Sequence, residues 1–257
     1  MIAFDWRIDD MPTRVPFLEV KNLSAHFLTD DGVMRAIEDV SFALEHGQSL
    51  GLVGESGCGK TTAMLSLMRL LPPNGRIVKG EILLDGRDLL RLSEAAMREV
   101  RWSKISLIFQ GAMNALNPVR TVGDQIAEAI RRHGVLGVRL DDRALERRAR
   151  ELLDMVGIAA SRKDQYPHQY SGGMRQRAMI AMALACAPEV VIADEPTTAL
   201  DVMIQAQILD LLQRLQRELG LAVILVTHDL SVVAEMCDRV LVMYGGKVAE
   251  YASADAV

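Results

Sequence analysis

The chain has 257 residues, half of them hydrophobic, a formal net charge of −5 and a pI near 5.6. That size and apolar content suffice for a substantial α/β core, with or without a subdomain, and the acidic balance weighs against a nucleic-acid partner, which would call for a basic face. Cys58, Cys186 and Cys237 are too widely spaced for a disulfide framework or a zinc site and suit a reducing cytosol; the acidic start Met1–Asp10 is no signal peptide, and the longest apolar run, Ala178–Ala187, is too short to span a bilayer.

In chain order, residues 1–16 read as an arm, with Met11 an alternative start. Alternating segments over Phe17–Phe27 and Val33–Leu44 flank Thr29-Asp30-Asp31-Gly32, whose Asp-Gly predicts a hairpin. Glu45-His46-Gly47 turns into the apolar run Leu50–Val53, and a helix is predicted over Lys60–Leu71, stopped by Pro72-Pro73-Asn74-Gly75. Glu81–Gly86 predicts another edge hairpin strand, Ser93 caps a helix through Val100, and Ile105–Phe109 is a strand. The texture then turns helical. Thr121-Val122-Gly123-Asp124 has capping-box spacing ahead of Ile126–Arg132. Asp141 and Asp142 cap a helix with Leu145, Ala149, Leu152 and Val156 on one face, ended by Gly157. A third helical region runs over Ser171–Ala187 to Pro188. After it, strand and helix alternate again: strand Val190–Ala193, helix Val202–Leu219, strand Ala222–Thr227, helix Ser231–Cys237 and strand Val240–Tyr244, with Gly245-Gly246 as the final turn. The pattern implies a mainly parallel α/β core with an antiparallel β edge, interrupted by a helical insert.

Between strand and helix stands Gly54-Glu55-Ser56-Gly57-Cys58-Gly59-Lys60-Thr61-Thr62, a G-x-x-x-x-G-K-T phosphate-binding loop. Its glycines let successive N–H groups converge on an anion, and the following helix turns its positive dipole end to the same point. Lys60 can reach the β- and γ-phosphates and the Thr61 hydroxyl can ligate Mg²⁺; Cys58 needs only to be small. The apolar strand Val190–Ala193 ends in Asp194-Glu195. Beside a phosphate loop, Asp194 would hold the Mg²⁺ shell and Glu195 would polarise the attacking water. Neighbouring residues of an extended chain point to opposite sides, which predicts different roles for the two acids.

The long interval between Lys60 and Asp194 holds the helical insert, which closes on Tyr170-Ser171-Gly172-Gly173-Met174-Arg175-Gln176-Arg177 at a helix start. Here the chain resembles the ATP-binding-cassette family, whose signature is Ser-Gly-Gly in this setting. The resemblance runs from Phe17 to the C-terminus with each family motif in order. It implies that Gln110, after Ile105–Phe109, is a metal ligand that also touches nucleotide. Ala199-Leu200-Asp201 would form the D-loop, His228 of Thr227-His228-Asp229 would contact the γ-phosphate, and Phe27 would stack on adenine. It further implies a head-to-tail dimer with ATP and Mg²⁺ held between Lys60 of one subunit and Ser171, Gly172 and Gly173 of the other. Read without the family, Ser-Gly-Gly is a flexible N-cap, His228 a core or loop histidine and Phe27 an edge-strand core residue.

The Met174 variant of the signature, Tyr166-Pro167-His168-Gln169 before it, and Phe109–Pro118 are similar to the peptide-importer branch, which has nickel- and oligosaccharide-importing relatives. Members of that branch usually continue past Ala254-Asp255-Ala256-Val257 into a Pro- and Cys-containing extension, so a truncated chain and a short member are both open. The resemblance implies a P-loop NTPase fold with a RecA-like core and antiparallel β subdomain over 17–110 and 187–257, and a helical subdomain over 111–186. It implies an ATPase subunit peripheral to the cytoplasmic face of the inner membrane, working with permease subunits and, through them, a substrate-binding protein, with no nucleic acid. Nickel or oligosaccharide uptake, or a non-transport ATPase role, is the alternative.

Overall fold

The computed structural model describes residues 16–109, 111, 115–198 and 200–254. The expectations for the arm up to Val15, for Gln110 and for Ala199 lie outside the described residues. β1 (Leu18–Thr29) and β2 (Gly32–Leu44) pair antiparallel with Thr29 opposite Gly32, so Asp30 and Asp31 form the predicted hairpin loop. β3 (Ser49–Gly54) leads through the phosphate loop into α1 (Lys60–Leu67).

This helix ends four residues short of the predicted Leu71. Arg69 turns left-handed at φ 50°, with its N–H on Ser66 O and the Leu70 N–H on Leu65 O, the paired bonds of a Schellman ending. Glycine usually takes this place; here the Arg69 guanidinium is tied to the carbonyls of Leu89 and Leu92. β4 (Gly75–Leu84) begins six residues before the predicted segment and is not an edge, because β1 flanks it on one side and β5 (Arg87–Asp88) on the other. α2 (Glu94–Val100) is capped by Ser93 as predicted, and β6 (Ile105–Ile108) follows.

The helical stretch comprises α3 (Val122–His133), α4 (Asp142–Met155) and α5 (Gly172–Ala183), whose N-caps Thr121, Asp141 and Ser171 each accept from the backbone N–H three residues on. Each such cap stabilises its helix by about 1 kcal/mol. α5 stops before the predicted Ala187, which lies at φ 54° outside the helix. β7 (Val190–Asp194), α6 (Val202–Leu219), β8 (Ala222–Val226), α7 (Leu230–Met236) and β9 (Arg239–Tyr244) match the predicted alternation. Gly245-Gly246 is not the final turn, since it closes a hairpin to β10 (Lys247–Ser253). That strand is mostly half-buried or exposed and so lacks the apolar run that marks its neighbours.

Two sheets result, an antiparallel one in the order β2-β1-β4-β5 and a six-stranded one in the order β10-β9-β3-β8-β7-β6, parallel except for β10. Residue parity sends side chains of the six-stranded sheet into two cores. Leu50, Leu52, Val190, Ile192, Ile224 and Val226 pack toward the antiparallel sheet and α1, while Val53, Val191, Ala193, Val223 and Leu225 pack toward α3, α4, α5 and α6. Coverage on both faces explains why β3, β7 and β8 read as continuous apolar runs rather than alternating ones. Among the described residues, no helix is long and apolar enough to cross a membrane.

Candidate nucleotide site

The loop after β3 owes its path to two glycines. Gly54 lies at φ 151°, and a Cβ there would stand 2.3 Å from the Met243 carbonyl O and 2.6 Å from Cys58 Sγ. Gly59 lies at φ 106°, and its Cβ would meet Ile37 Cγ2 at 2.6 Å and Ala36 O at 2.8 Å. Backbone from β9 and β2 therefore presses on the loop from outside, and only glycine fits. Lys60, 7% exposed, arches over the loop and donates from Nζ to Gly54 O at 2.7 Å and Glu55 O at 2.9 Å. The Cys58 side chain is buried under the loop with Sγ 3.8 Å from that ammonium, and its carbonyl accepts from the Gly246 N–H. Glu55, Ser56, Gly57 and Thr61 are exposed and Thr62 half-buried.

β7 is not the neighbour of β3; β8 lies between them, with Asp194 opposite Val226 and Val226 opposite Leu52. Asp194 nonetheless reaches the head of α1, where its Oδ2 accepts from the Thr61 hydroxyl at 3.2 Å. At 6% exposure its carboxyl is pushed above the ordinary carboxylate range by burial. The Thr61 hydrogen bond opposes that shift, the Glu195 charge adds to it, and the Lys60 ammonium opposes it. A raised value means the folded state binds the proton more tightly than the unfolded chain, so the ionised carboxylate costs stability at neutral pH. Asp194→Asn should therefore raise the melting temperature of the nucleotide-free protein, by about 2–4 °C per kcal/mol relieved. The gain should vanish as pH falls through the folded value, and thermal denaturation at pH 7 and below checks it. An unchanged or lowered temperature at pH 7 would contradict the argument.

Glu195 does not continue the strand, contrary to the extended geometry expected for Asp194-Glu195. It turns left-handed at φ 43° with its N–H on Val226 O. The two acids thus separate through this turn rather than through strand alternation. Glu195 Oε2 accepts from the Thr198 hydroxyl at 3.0 Å, and Oε1 lies 3.7 Å from His228 Nδ1 on the loop after β8. His228 is 73% exposed and Glu195 20%, so the pair sits at the rim where β7 and β8 end. Thr198 was missed from the sequence; its place three residues after Glu195, where a turn brings a hydroxyl back, was the available signal.

The remaining predicted residues stand apart from this cluster. Ser171 Oγ accepts from the Met174 N–H at 3.3 Å and Asp201 Oδ1 from the Ile204 N–H at 3.0 Å, so each caps its own helix. Gly173 allows α5 to approach α6, since a Cβ there would stand 2.9 Å from Ile204 Cγ2. Among the described residues, no hydrogen bond or ion pair joins Ser171, Gly172, Gly173 or Asp201 to the phosphate loop. Phe27 lies half-buried on β1 with its ring over Gly75 of β4.

A phosphate loop between a central parallel strand and a helix, facing a buried strand-end aspartate, defines a P-loop nucleoside-triphosphatase. The family model of the ABC transporter matches residues 37–198. The chain is 53% identical over 250 residues to a probable peptide ABC transporter ATP-binding protein of Sinorhizobium fredii, covering 96% of this chain and 73% of that one. It is 52% identical to the dipeptide transport ATP-binding protein DppD of Bacillus subtilis, covering 91% and 69%. Among solved structures, the dimeric post-hydrolysis state of the ATP-binding cassette MJ0796 bound to ADP and Pi superposes with a TM-score of 0.80 at 28% identity, covering 92% of this chain and 98% of that one. The cbiO1 subunit from Clostridium perfringens, part of the ABC transporter complex cbiONQ, superposes with 0.79 at 29% identity, covering 94% and 90%. The chain belongs to the ABC transporter family. It is an ATP-binding, ATP-hydrolysing cassette with the P-loop NTPase fold anticipated from its sequence.

Proposed function

We propose that this cassette powers the import of di- or oligopeptides through a membrane permease. The observation that carries the hydrolytic part is the convergence of Lys60, Thr61 and Asp194 at one end of the sheet, with Glu195 and His228 beside them on neighbouring strand ends. The cargo rests on likeness over more than nine-tenths of the chain to relatives named for peptide and dipeptide transport. The loop amides and Lys60 bind the phosphates. The Thr61 hydroxyl and Asp194 carboxylate, hard oxygen donors 3.2 Å apart, suit Mg²⁺, which takes few protein oxygens and completes its shell with water and phosphate; Gln110 is the third proposed ligand. The bound ion would neutralise charge on the β- and γ-phosphates. Glu195 accepts the proton of the attacking water, held in place by Thr198, and His228 contacts the γ-phosphate from its exposed loop.

Ser171 serves the second subunit. Its Oγ accepts the capping bond, which leaves its O–H to donate outward beside a helix N-terminus, an arrangement suited to phosphate. The assembly is a head-to-tail pair of cassettes, two copies or this chain with a related one, with Asp201 at the shared face. It sits on the cytoplasmic side of the membrane, and the stretch around Gln110–Pro118 with the adjoining helical surface docks the permease. The core comprises 17–110 with 187–257, and 111–186 forms the signature subdomain.

The test is uptake of a labelled dipeptide by cells lacking the gene. Wild type should restore it and Glu195→Gln should not. Undiminished uptake without the gene would remove the peptide assignment, and loss of nickel or oligosaccharide uptake instead would reassign the cargo. On a sizing column with light scattering, Glu195→Gln should pass from monomer to dimer only with ATP-Mg²⁺. ATP binding without dimerisation, alone and with the permease, would remove the role given to Ser171.

A further inference from the structure

Phe27 sits in the middle of a row across three strands, opposite Met34 of β2 and Gly75 of β4. Directly opposed residues of an antiparallel pair share one face of the sheet. The phenyl ring lies against Gly75. A Cβ built on Gly75 would stand 2.9 Å from Phe27 Cε1, 3.3 Å from Cδ1 and 3.1 Å from Leu71 Cβ. The Cδ1–Cε1 edge of the ring therefore fills the space that a side chain at 75 would take. Gly75 has no left-handed backbone to explain its presence; the close approach of the ring does. The residue before it holds the other end of the same contact. Asn74 brackets the Leu28 peptide, accepting from its N–H at 2.9 Å and donating from Nδ2 to its carbonyl at 3.1 Å, which pins the backbone next to Phe27. The same segment ends the turn that leaves α1, since the Gly75 N–H bonds Pro72 O. The helix whose first turn carries Lys60 and Thr61 thus leads, after eight residues and one turn, to the two residues that seat Phe27.

We propose that Gly75, with Asn74 beside it, is the positioning element that seats Phe27 as a platform for the nucleotide base, an inference that rests on the reading of Phe27 as the base-stacking residue. Any side chain at 75 must shift the ring or displace Leu71, and a shifted ring loses its stacking geometry with the base.

The test is the affinity for ADP and for inorganic pyrophosphate, both with Mg²⁺, measured by calorimetry on wild type, Phe27→Ala, Gly75→Ala and the double variant. Stacking of a base on an aromatic ring is strong enough that its loss weakens binding roughly fivefold or more. Gly75→Ala should weaken ADP by at least that factor and leave pyrophosphate within about twofold. The double variant should bind ADP no more weakly than Phe27→Ala alone, because both changes remove one interaction. If Phe27→Ala weakens ADP and Gly75→Ala does not, or if the two losses add, the role of Gly75 is overturned and the platform stands. Equal weakening of both ligands by Gly75→Ala marks a general lesion and also overturns it. Should Phe27→Ala leave ADP affinity unchanged, the platform itself fails, and this inference with it. If Gly75→Ala does not fold, Asn74→Ala, which removes only the donor to Leu28 O, must show the ADP-selective loss.

Discussion

Glu195→Gln is expected to lower ATP turnover by about 10²–10⁴-fold while leaving ATP affinity nearly unchanged, the usual contribution of a general base. The structure makes this substitution unusually clean. The backbone at 195 is held left-handed at φ 43° by the bond from its N–H to Val226 O, a conformation that costs a non-glycine residue about 1–2 kcal/mol and costs Glu and Gln alike. The side-chain amide keeps the shape of the carboxylate, and its oxygen can still accept from the Thr198 hydroxyl. What it loses is the capacity to take a proton, together with the negative charge facing His228. A fall in phosphate release with an unaltered ATP titration therefore separates the hydrolytic step from ATP binding. Turnover near the wild-type rate would remove Glu195 from the chemistry and leave His228, 3.7 Å away, as the next group to replace.

Lys60→Ala should cost about 10²–10³-fold in kcat/KM, comparable with the loss of one preorganised electrostatic donor at a developing charge, and the loss should include ATP affinity. Lys60 is nearly enclosed, and its ammonium is shared between Gly54 O and Glu55 O. Removing it deletes the one cation that the described structure places over the loop and strips those carbonyls of a common donor, so the loop loses both charge and shape. Lys60→Arg should not restore activity. The ammonium is a compact point charge set among the Gly54 and Glu55 carbonyls and Cys58 Sγ, whereas a guanidinium is a wide planar fork. Steady-state hydrolysis and ATP titration of both variants check this, and recovery with arginine would show that charge alone is required.

The phosphate loop was legible because its constraints are local. Gly54 and Gly59 stand where the backbone must turn with positive φ, Lys60 and Thr61 open a helix directly after a strand, and apolar runs at β3, β7 and β8 announce strands buried on both faces. Helix starts were legible for the same reason, since Ser93, Thr121, Asp141 and Ser171 each cap through a bond spanning three residues. Helix ends were less so. α1 stops at Met68 because Arg69, a residue without turn propensity, is held left-handed by bonds to Leu89 and Leu92 twenty and more residues away. β10 escaped notice because it pairs with β9 alone at the sheet edge, is mostly half-buried or exposed, and leaves no apolar run.

The sequence by itself determined that a phosphate-binding loop joins a strand to a helix, that the chain is an ATP-binding cassette and which acids follow the partner strand, because glycines, caps and buried strands act over a few residues. Only the tertiary structure decided that β8 intervenes between β3 and β7, that Asp194 still meets Thr61, that Glu195 leaves the strand by a left-handed turn toward Thr198 and His228, and that Phe27 rests on Gly75. Those relations join residues far apart in the chain, and they follow from sheet order and close packing, which periodicity and spacing do not encode.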